Sequence, residues 1–475
     1  MDLRCIVPLG LALALAGCPS PSSSDGGLDG GAGVDSGPRD AGLPWPNALP
    51  ATTEMRRGRR LARSIVHLHS PLSHDACDGA GWVDGALADA DCLSHFRAAL
   101  CALHIDTAMV TDHVPHLDEV TIEQALWMSG EDEPVMATDG SIIASRMACP
   151  DGHRVLLTVG SENRLMPLLL QRHPGTDPAS MNSAYEDDTT ESRAALRAAG
   201  ALIWQAHTEQ RTVPELMASE LDGLELYNLH ANVAPDIRQD YLGLEPADFV
   251  GDLLLFARSG SSLPPDLAVL SFLSRNQPAL DKWDEMLAGG VHIAGSGGCD
   301  AHENTFTMLL TDGERADSYR RMMFWIQNNL LVDDVTPDGV RDALANERFF
   351  VTTPVFGDPL GFDFVADDGS ATFEMGESVT VGATLRVMRP SLPDGFPNDP
   401  PPAISVHLFR STASGAEEVA MDTGATLEHV TTQSGAYRVE VRMTPNHAMP
   451  YLTGRAATLV REVTWVYSNP IYVTD

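Results

Sequence analysis

Apolar positions along the chain fall into two textures. From about residue 56 to 355, short apolar runs alternate with Ala- and Leu-rich stretches of helical period. The runs are Ser64–Leu68, Thr107–Val110, Val155–Val159, Ala201–Ala206, Gly223–Tyr227 and Val291–Ala294. Between them lie segments such as Leu93–His104, Thr190–Ala199 and Asp281–Ala288. Strand and helix in alternation predict an α/β body with a parallel sheet. Residues 232–288 carry a mostly helical pattern and read as an insertion between two strands. After about 355 the runs shorten to alternating segments, Ser378–Met388, Ala403–Phe409, Ala436–Met443 and Glu462–Val466, separated by turn-forming stretches such as Pro390–Pro402. That texture predicts a small all-β sandwich over 356–475.

The first 55 residues fit neither texture. Residues 1–18 place Arg4 before an apolar run, Ile6 to Ala16, too short to span a bilayer and fitting a signal-peptide core. The run ends Leu15-Ala16-Gly17-Cys18. This is similar to the lipobox of bacterial lipoproteins, in which the cysteine is acylated, so Cys18 is the expected lipidation site and a cell-envelope, lipid-anchored location is implied. An ordinary secretory signal with an incidental cysteine is the alternative. Residues 19–55, rich in Ser, Gly, Asp and Pro, are expected to form a flexible tether.

Charge narrows the function classes. The chain has 475 residues with 31 basic and 66 acidic side chains, a formal net charge of −35. Nucleic acid is excluded as a partner, because phosphate binding needs clustered basic residues. No run is long enough for multipass membrane function, so contact with a membrane is expected only through the anchor. Lys282 is the only lysine. Of the seven cysteines, Cys77, Cys92, Cys101, Cys149 and Cys299 lie beyond the leader. An exported compartment permits disulfides; Cys77–Cys92 is the favoured pair, Cys149 and Cys101 are rival partners, and an odd count leaves a thiol free.

The chemistry lies in where the histidines fall. Thirteen of the 16 are between His67 and His302. The first strand carries Val66-His67-Leu68-His69, and an i, i+2 pair on a strand projects both imidazoles to one face. The next strands run into Thr111-Asp112-His113, Gly160-Ser161-Glu162 and Gln205-Ala206-His207. The strand near 291–296 leads to Cys299-Asp300-Ala301-His302. Five strands thus deliver a His or an acid at their C-terminal ends, which in a parallel α/β barrel share one rim. His, Asp and Glu without ordered Cys suit zinc, manganese or iron, and the number of candidates suits two or three divalent ions. Bridged ions are the usual clamp for phosphoester hydrolysis.

The ordered set H-x-H-S-x-x-S-H, T-D-H, G-S-E, A-H and C-D-A-H resembles the PHP (polymerase and histidinol phosphatase) superfamily over roughly residues 60–355. The resemblance implies a distorted (β/α)7 TIM-like barrel, a di- or trinuclear metal centre and metal-dependent phosphoesterase activity; the strong negative charge, which repels polyanions, favours a small phosphoester as substrate. It assigns metal ligation to His67, His69, His113, Glu162 (the bridging carboxylate), His207, Asp300 and His302. Glu162, Asp300 and His207 are taken as the catalytic residues. His74 is the favoured ligand after the opening motif, with Asp75 beside it as alternative. His173 is a candidate for a further histidine of the family pattern. Asp222–Asn228 resembles an E-x-Y-N strand of relatives, so Glu225, Asn228 or His230 could line the pocket. Arg146, Arg154, Arg164 and Arg172 are candidates for a phosphate clamp. Two rivals stand beside this reading. One is an amidohydrolase-like centre, which commonly needs a carboxylated lysine. The other is a surface lipoprotein that binds metal or ligand without turnover.

Overall fold

The structure, a computed structural model, describes residues 44–475. The leader, Cys18 and the first part of the expected tether lie outside the described residues. Eleven strands position the site. They are β1 (Arg59–Leu68), β2 (Thr107–Val110), β3 (Glu133–Met136), β4 (Ile142–Ala148), β5 (Arg154–Val159), β6 (Met166–Leu168), β7 (Leu202–Gln205), β8 (Gly223–Asn228), β9 (Ala294–Gly298), β10 (Gln327–Val332) and β11 (Phe349–Thr352).

Two sheets carry them. In the larger the order is β3-β4-β5-β2-β1-β10-β11, and it then continues into the C-terminal strands Val463–Ser468 and Gly435–Thr444. The smaller has the order β9-β8-β7-β6. β1, β2 and β5 are mutually parallel, as are β7, β8 and β9, while β6 is antiparallel to β7. The sheets meet at two isolated bridges, Leu68–Ala301 in parallel sense and Val159–Leu170 in antiparallel sense. Directions carried through both junctions give β1, β2, β5, β7, β8 and β9 one orientation, so their C-terminal ends face the same side. The ladder is not continuous, so no closed barrel is formed. One cause is β6, which has three residues with Pro167 at its centre. A proline has no N–H to donate and interrupts a ladder.

Most expected strands lie within one to three residues of observed ones. The exception is Val291–Ala294, because the strand is the Ala-Gly-Ser-Gly-Gly segment of β9. These glycines sit where side chains cannot: an added Cβ would lie 2.2 Å from Leu226 at Gly295, 2.5 Å from Val351 at Gly297 and 1.9 Å from Glu225 Oε1 at Gly298. Five helices or 3-10 turns lie between β8 and β9, four of them wholly within 232–288, ending in the helix Gln277–Ala288.

Two expectations are corrected. The C-terminal strands are not a sandwich apart from the body, since Val463–Ser468 pairs with β11 and extends the body's sheet. A four-stranded sheet over Asp363–Val430 is added to it. The stretch 44–55 is not a free tether. Trp45 and Leu49 are buried, and the Trp45 indole lies 5.5 Å from the His447 ring and 5.4 Å from Phe396. The arginines between Arg56 and Arg63 are tied into the fold by ion pairs. Arg57 pairs with Asp363 and Glu374, and Arg59 with Glu374. Arg63 pairs with Asp358 in the interior.

Two disulfides form, Cys77–Cys92 and Cys101–Cys149. Among the described residues Cys299 is the one free thiol; it is buried, and its Sγ contacts the His67 carbonyl at 3.2 Å.

Candidate metal centre

The strand ends converge. His67 is the penultimate residue of β1 and His69 lies one residue beyond the strand, so alternation along the chain turns both imidazoles to one face. Backbone bonds lock the loops around them: His69 N donates to Ala301 O (3.1 Å), Glu162 N to Thr111 O (2.9 Å) and Cys77 N to His302 O (2.8 Å). His207 and Asp300 both adopt left-handed backbone, φ 50° in each. Such conformations in non-glycine residues concentrate at functional sites.

Glu162 and Asp300 form the hub, and each turns its two oxygens to different neighbours. On one side, His67 Nε2 lies 3.0 Å from Glu162 Oε2 and 3.3 Å from Asp300 Oδ1, while His69 Nε2 lies 3.2 and 3.3 Å from the same atoms. On the other, His207 Nε2 is 2.8 Å from Glu162 Oε1 and 3.4 Å from Asp300 Oδ2, and His230 Nδ1 is 3.5 Å from Asp300 Oδ2. A further grouping joins His69, Asp75 and His113. There His113 Nε2 is 3.6 Å from Asp75 Oδ2 and 3.4 Å from Glu162 Oε2, with His302 Nε2 4.0 Å from Asp75 Oδ2.

These spacings fit cations. Ligand bonds of about 2.0–2.2 Å separate donor atoms by about 3.3–3.6 Å in a tetrahedron and about 2.9–3.1 Å in an octahedron. The contact between His67 Nε2 and His69 Nε2, at 3.1 Å, points the same way. His67 Nδ1 meets Glu225 Oε1 at 2.8 Å, an arrangement that in a metal-bound, neutral ring would leave the Nε2 lone pair aimed into the cluster. His69 Nδ1 meets Ser73 Oγ (3.2 Å), His302 Nδ1 the Asp300 carbonyl (2.6 Å) and His113 Nδ1 the Glu162 carbonyl. Metal-binding histidines are oriented in this way, through the ring nitrogen that does not ligate.

The electrostatics demand positive charge. Burial works to lower the His69 pKa, but hydrogen bonds to Asp300 and Glu162 carry it up to about 10. Burial likewise opposes protonation of His207, and Glu162 and Asp300 overcome it, again to about 10. Against their own burial, the histidines hold Glu162 and Asp300 well below the usual carboxylate range. In the metal-free protein, protons on imidazole balance buried carboxylates; a divalent ion would do so without them.

Of the residues expected from sequence, His67, His69, His113, Glu162, His207, Asp300 and His302 come together. Asp75, rather than the favoured His74, joins them. His74 only approaches the His113 ring, at 5.1 Å between centroids, and burial lowers its pKa. His230 is present at the centre, whereas His173 is not. The His173 ring nitrogens are engaged by Tyr185 OH (2.9 Å) and the Val120 carbonyl (2.8 Å). Glu225 orients His67, and Asn228 donates to Glu225 Oε2 at 2.6 Å. None of the four candidate arginines bonds to the cluster: Arg154 donates to the Glu131 carbonyl (2.6 Å), Arg172 to the Ala198 carbonyl, and Arg164 is exposed. Sequence reasoning missed the supports Ser70, Ser73 and Asp112. Asp112 accepts from Ser70 N and Ser70 Oγ, both at 2.6 Å, and burial raises its carboxyl to about 6. The HxHS and TDH motifs contain Ser70 and Asp112, which was the available signal. Lys282 stands apart from the ligands and donates to the carbonyls of Thr208 and Glu209, so it cannot serve as a bridging carboxylated lysine there.

Neither a family model nor a curated protein matches this chain. Among solved structures it is similar to a two-domain protein from Bacteroides vulgatus ATCC 8482 described as containing a predicted PHP-like metal-dependent phosphoesterase. The identity is 12%, the TM-score 0.31, and the match covers 90% of this chain and 100% of that one. At that score the likeness carries no argument, and the case for a metal centre rests on its own geometry.

Proposed function

We propose that this chain is a metal-dependent hydrolase that cleaves a small phosphate ester, with a PHP-type di- or trinuclear centre built on the C-terminal rim of a distorted seven-stranded barrel whose ladder is left open. The two sheets bridged at both flanks are read as that barrel. One observation carries the proposal: seven ligand-type side chains, His67, His69, Asp75, His113, His207, His230 and His302, gather around Glu162 and Asp300. The three groupings would be His67, His69, Glu162 and Asp300; Asp75, His113 and His302 with Glu162; and His207 and His230 with Glu162 and Asp300. Bound divalent ions, zinc, manganese or iron, would supply the Lewis acidity that activates water and neutralises charge on a phosphoryl group. The chain's part is to hold that chemistry in place. Glu162 and Asp300 keep an oxygen on each side of the hub, Glu225 fixes the His67 tautomer, and burial of the hub excludes bulk water. In this reading the leader is cleaved, Cys18 is acylated, and the enzyme is exported and lipid-anchored in the cell envelope.

The test is metal analysis of the purified protein beside assays with chromogenic phosphomonoesters and phosphodiesters. Two or three divalent ions per chain and a turnover abolished together with metal binding in H67A and D300A are expected. Full activity in either variant would refute the assignment, and bound metal without turnover on any phosphoester would favour a binding protein.

A further inference from the structure

We infer that Lys282, the only lysine of the chain, is a positioning residue that holds the His207 limb of the metal centre. This rests on the reading of that centre as a metal site.

His207 differs from the other buried ligand histidines. The rings of His67, His69, His113 and His302 each have the nitrogen that faces away from the hub anchored, as described above. His207 Nδ1 is buried and has no hydrogen-bond partner. Its ring orientation is therefore set by the backbone that carries it, and that backbone is left-handed, at φ 50°. A conformation of this kind costs about 1–3 kcal/mol and persists only where the surroundings enforce it.

Lys282 supplies that enforcement. Its Nζ donates to Thr208 O at 2.6 Å and to Glu209 O at 2.8 Å, the two carbonyls that follow His207. The same 3-10 turn, Thr208–Gln210, is pinned from two further directions. Thr208 Oγ1 donates to Glu225 O (3.3 Å), and Asn276 Nδ2 donates to Glu209 Oε1 (2.8 Å). Asn276 also caps the helix Gln277–Ala288 that carries Lys282. Two residues along that helix, Asp284 is gripped by strand Gly435–Thr444. Arg438 donates to both Asp284 carboxylate oxygens (2.8 and 2.7 Å), and Ser411 Oγ adds a bond of 2.6 Å. A continuous chain of bonds thus runs from the C-terminal β region through one helix to the ligand turn. The C-terminal strands become part of the support of the centre, which gives them a role beyond packing.

The test compares the parent with K282M and K282R, loaded with Zn2+ and with Mn2+. Chelator competition reads the affinity of each ion, and Co2+ substitution gives a visible spectrum of the ligand field. K282M is expected to weaken one ion by about 10–100-fold, the usual cost of losing a ligand's support, and to leave the others at parent affinity. K282R, whose guanidinium can donate to two carbonyls, is expected to restore most of the lost affinity. Where K282M does not fold, reductive methylation of the folded parent replaces it, because dimethyl-lysine keeps the charge but retains one N–H; the same single-ion loss is expected. Equal affinities for every ion in the variant or methylated protein and the parent, or an even loss across all ions, would overturn the role of Lys282. A parent that binds no divalent ion would instead overturn the metal reading itself.

Discussion

Replacing Glu225 by glutamine tests whether the cluster is built as a ligand field or is only a buried polar patch. Glu225 is not a ligand in the proposed centre, and the only ligand ring that it contacts is that of His67. Its Oε1 accepts from His67 Nδ1 at 2.8 Å and its Oε2 from Asn228 Nδ2 at 2.6 Å, with the His207 amide a further donor at 3.4 Å. Every neighbour is a donor, so a glutamine of the same shape must turn its amide N–H2 towards one of them. Asn228 cannot flip to compensate without cost, because its Oδ1 already caps the helix Leu229–Val233 by accepting from His230 N at 2.7 Å. The variant thus loses one charge-assisted hydrogen bond, about 1.5–3 kcal/mol in a buried setting. Expressed as metal affinity, supports of this kind are worth about 10–100-fold, or about 1.4–2.7 kcal/mol. Chelator competition with Zn2+ on E225Q should show that loss for the ion held by His67, with the fold intact by circular dichroism. Parent affinity for every ion in a folded E225Q would refute the claim that Glu225 orients a ligand.

Other outcomes follow from the same geometry. Stripping metal should make stability strongly pH-dependent. His69 and His207 have folded pKa values of about 10, so the stability they contribute is fully present below their unfolded value of about 6.5 and lost as pH rises towards 10. The melting temperature of chelator-treated protein should therefore fall relative to loaded protein between pH 6.5 and 10; a constant difference across that range would count against the histidine–carboxylate hub. The Cys77–Cys92 bridge closes a separation of 15 residues, for which chain entropy gives about 3 kcal/mol. A C77S/C92S double variant should lose about that much in denaturant unfolding, and an unchanged midpoint would contradict it. R438A should cost about 3–5 kcal/mol, because it strips buried Asp284 of its only cationic partner and leaves it the Ser411 hydroxyl alone, while Glu440 keeps Arg275 and Arg442. R386A, whose pair with Glu428 lies in solvent, should shift the melting temperature little; equal effects from the two would contradict the burial argument.

The parallel part of the fold was legible because fully buried strands leave continuous apolar runs, and β2 is the run Thr107–Val110 residue for residue. Strand β9 was hidden for the opposite reason: its residues are small so that Leu226, Val351 and Glu225 can be large, and the information sits on neighbours far away in sequence. The junction at residue 355 misled because alternation along a strand reports which faces are buried and not which sheet the strand joins. β11 and Val463–Ser468 pair across a hundred residues with no local sign of it. At the cluster, which side chains converge was legible wherever a strand end fixed the residue in space. His74 and Asp75 are adjacent in a loop, where the backbone path decides which side chain turns inward, and the choice fell to Asp75 through its bond from Ser73 Oγ at 2.7 Å. His173 failed for a related reason: it follows β6, which runs antiparallel to β7, so its loop does not open onto the shared rim.

Charge ties the number of ions to the nature of the substrate. Four carboxylates touch the histidines of the centre: Asp75, Glu162, Glu225 and Asp300. Their bonded partners among the described residues are histidines, Ser73, Asn228 and a backbone amide, with no arginine or lysine. Two divalent ions would cancel four negative charges and leave the imidazoles neutral, as ligation requires. A third ion leaves a surplus of two positive charges on a rim that carries no bonded arginine. In water-excluded surroundings that surplus must be met by an anion, and a phosphomonoester dianion meets it where a singly charged diester meets half. The protein's overall charge of −35 repels polyanions at a distance, so whatever draws the substrate in acts at short range. The ions, not a basic clamp, are the candidates for that attraction.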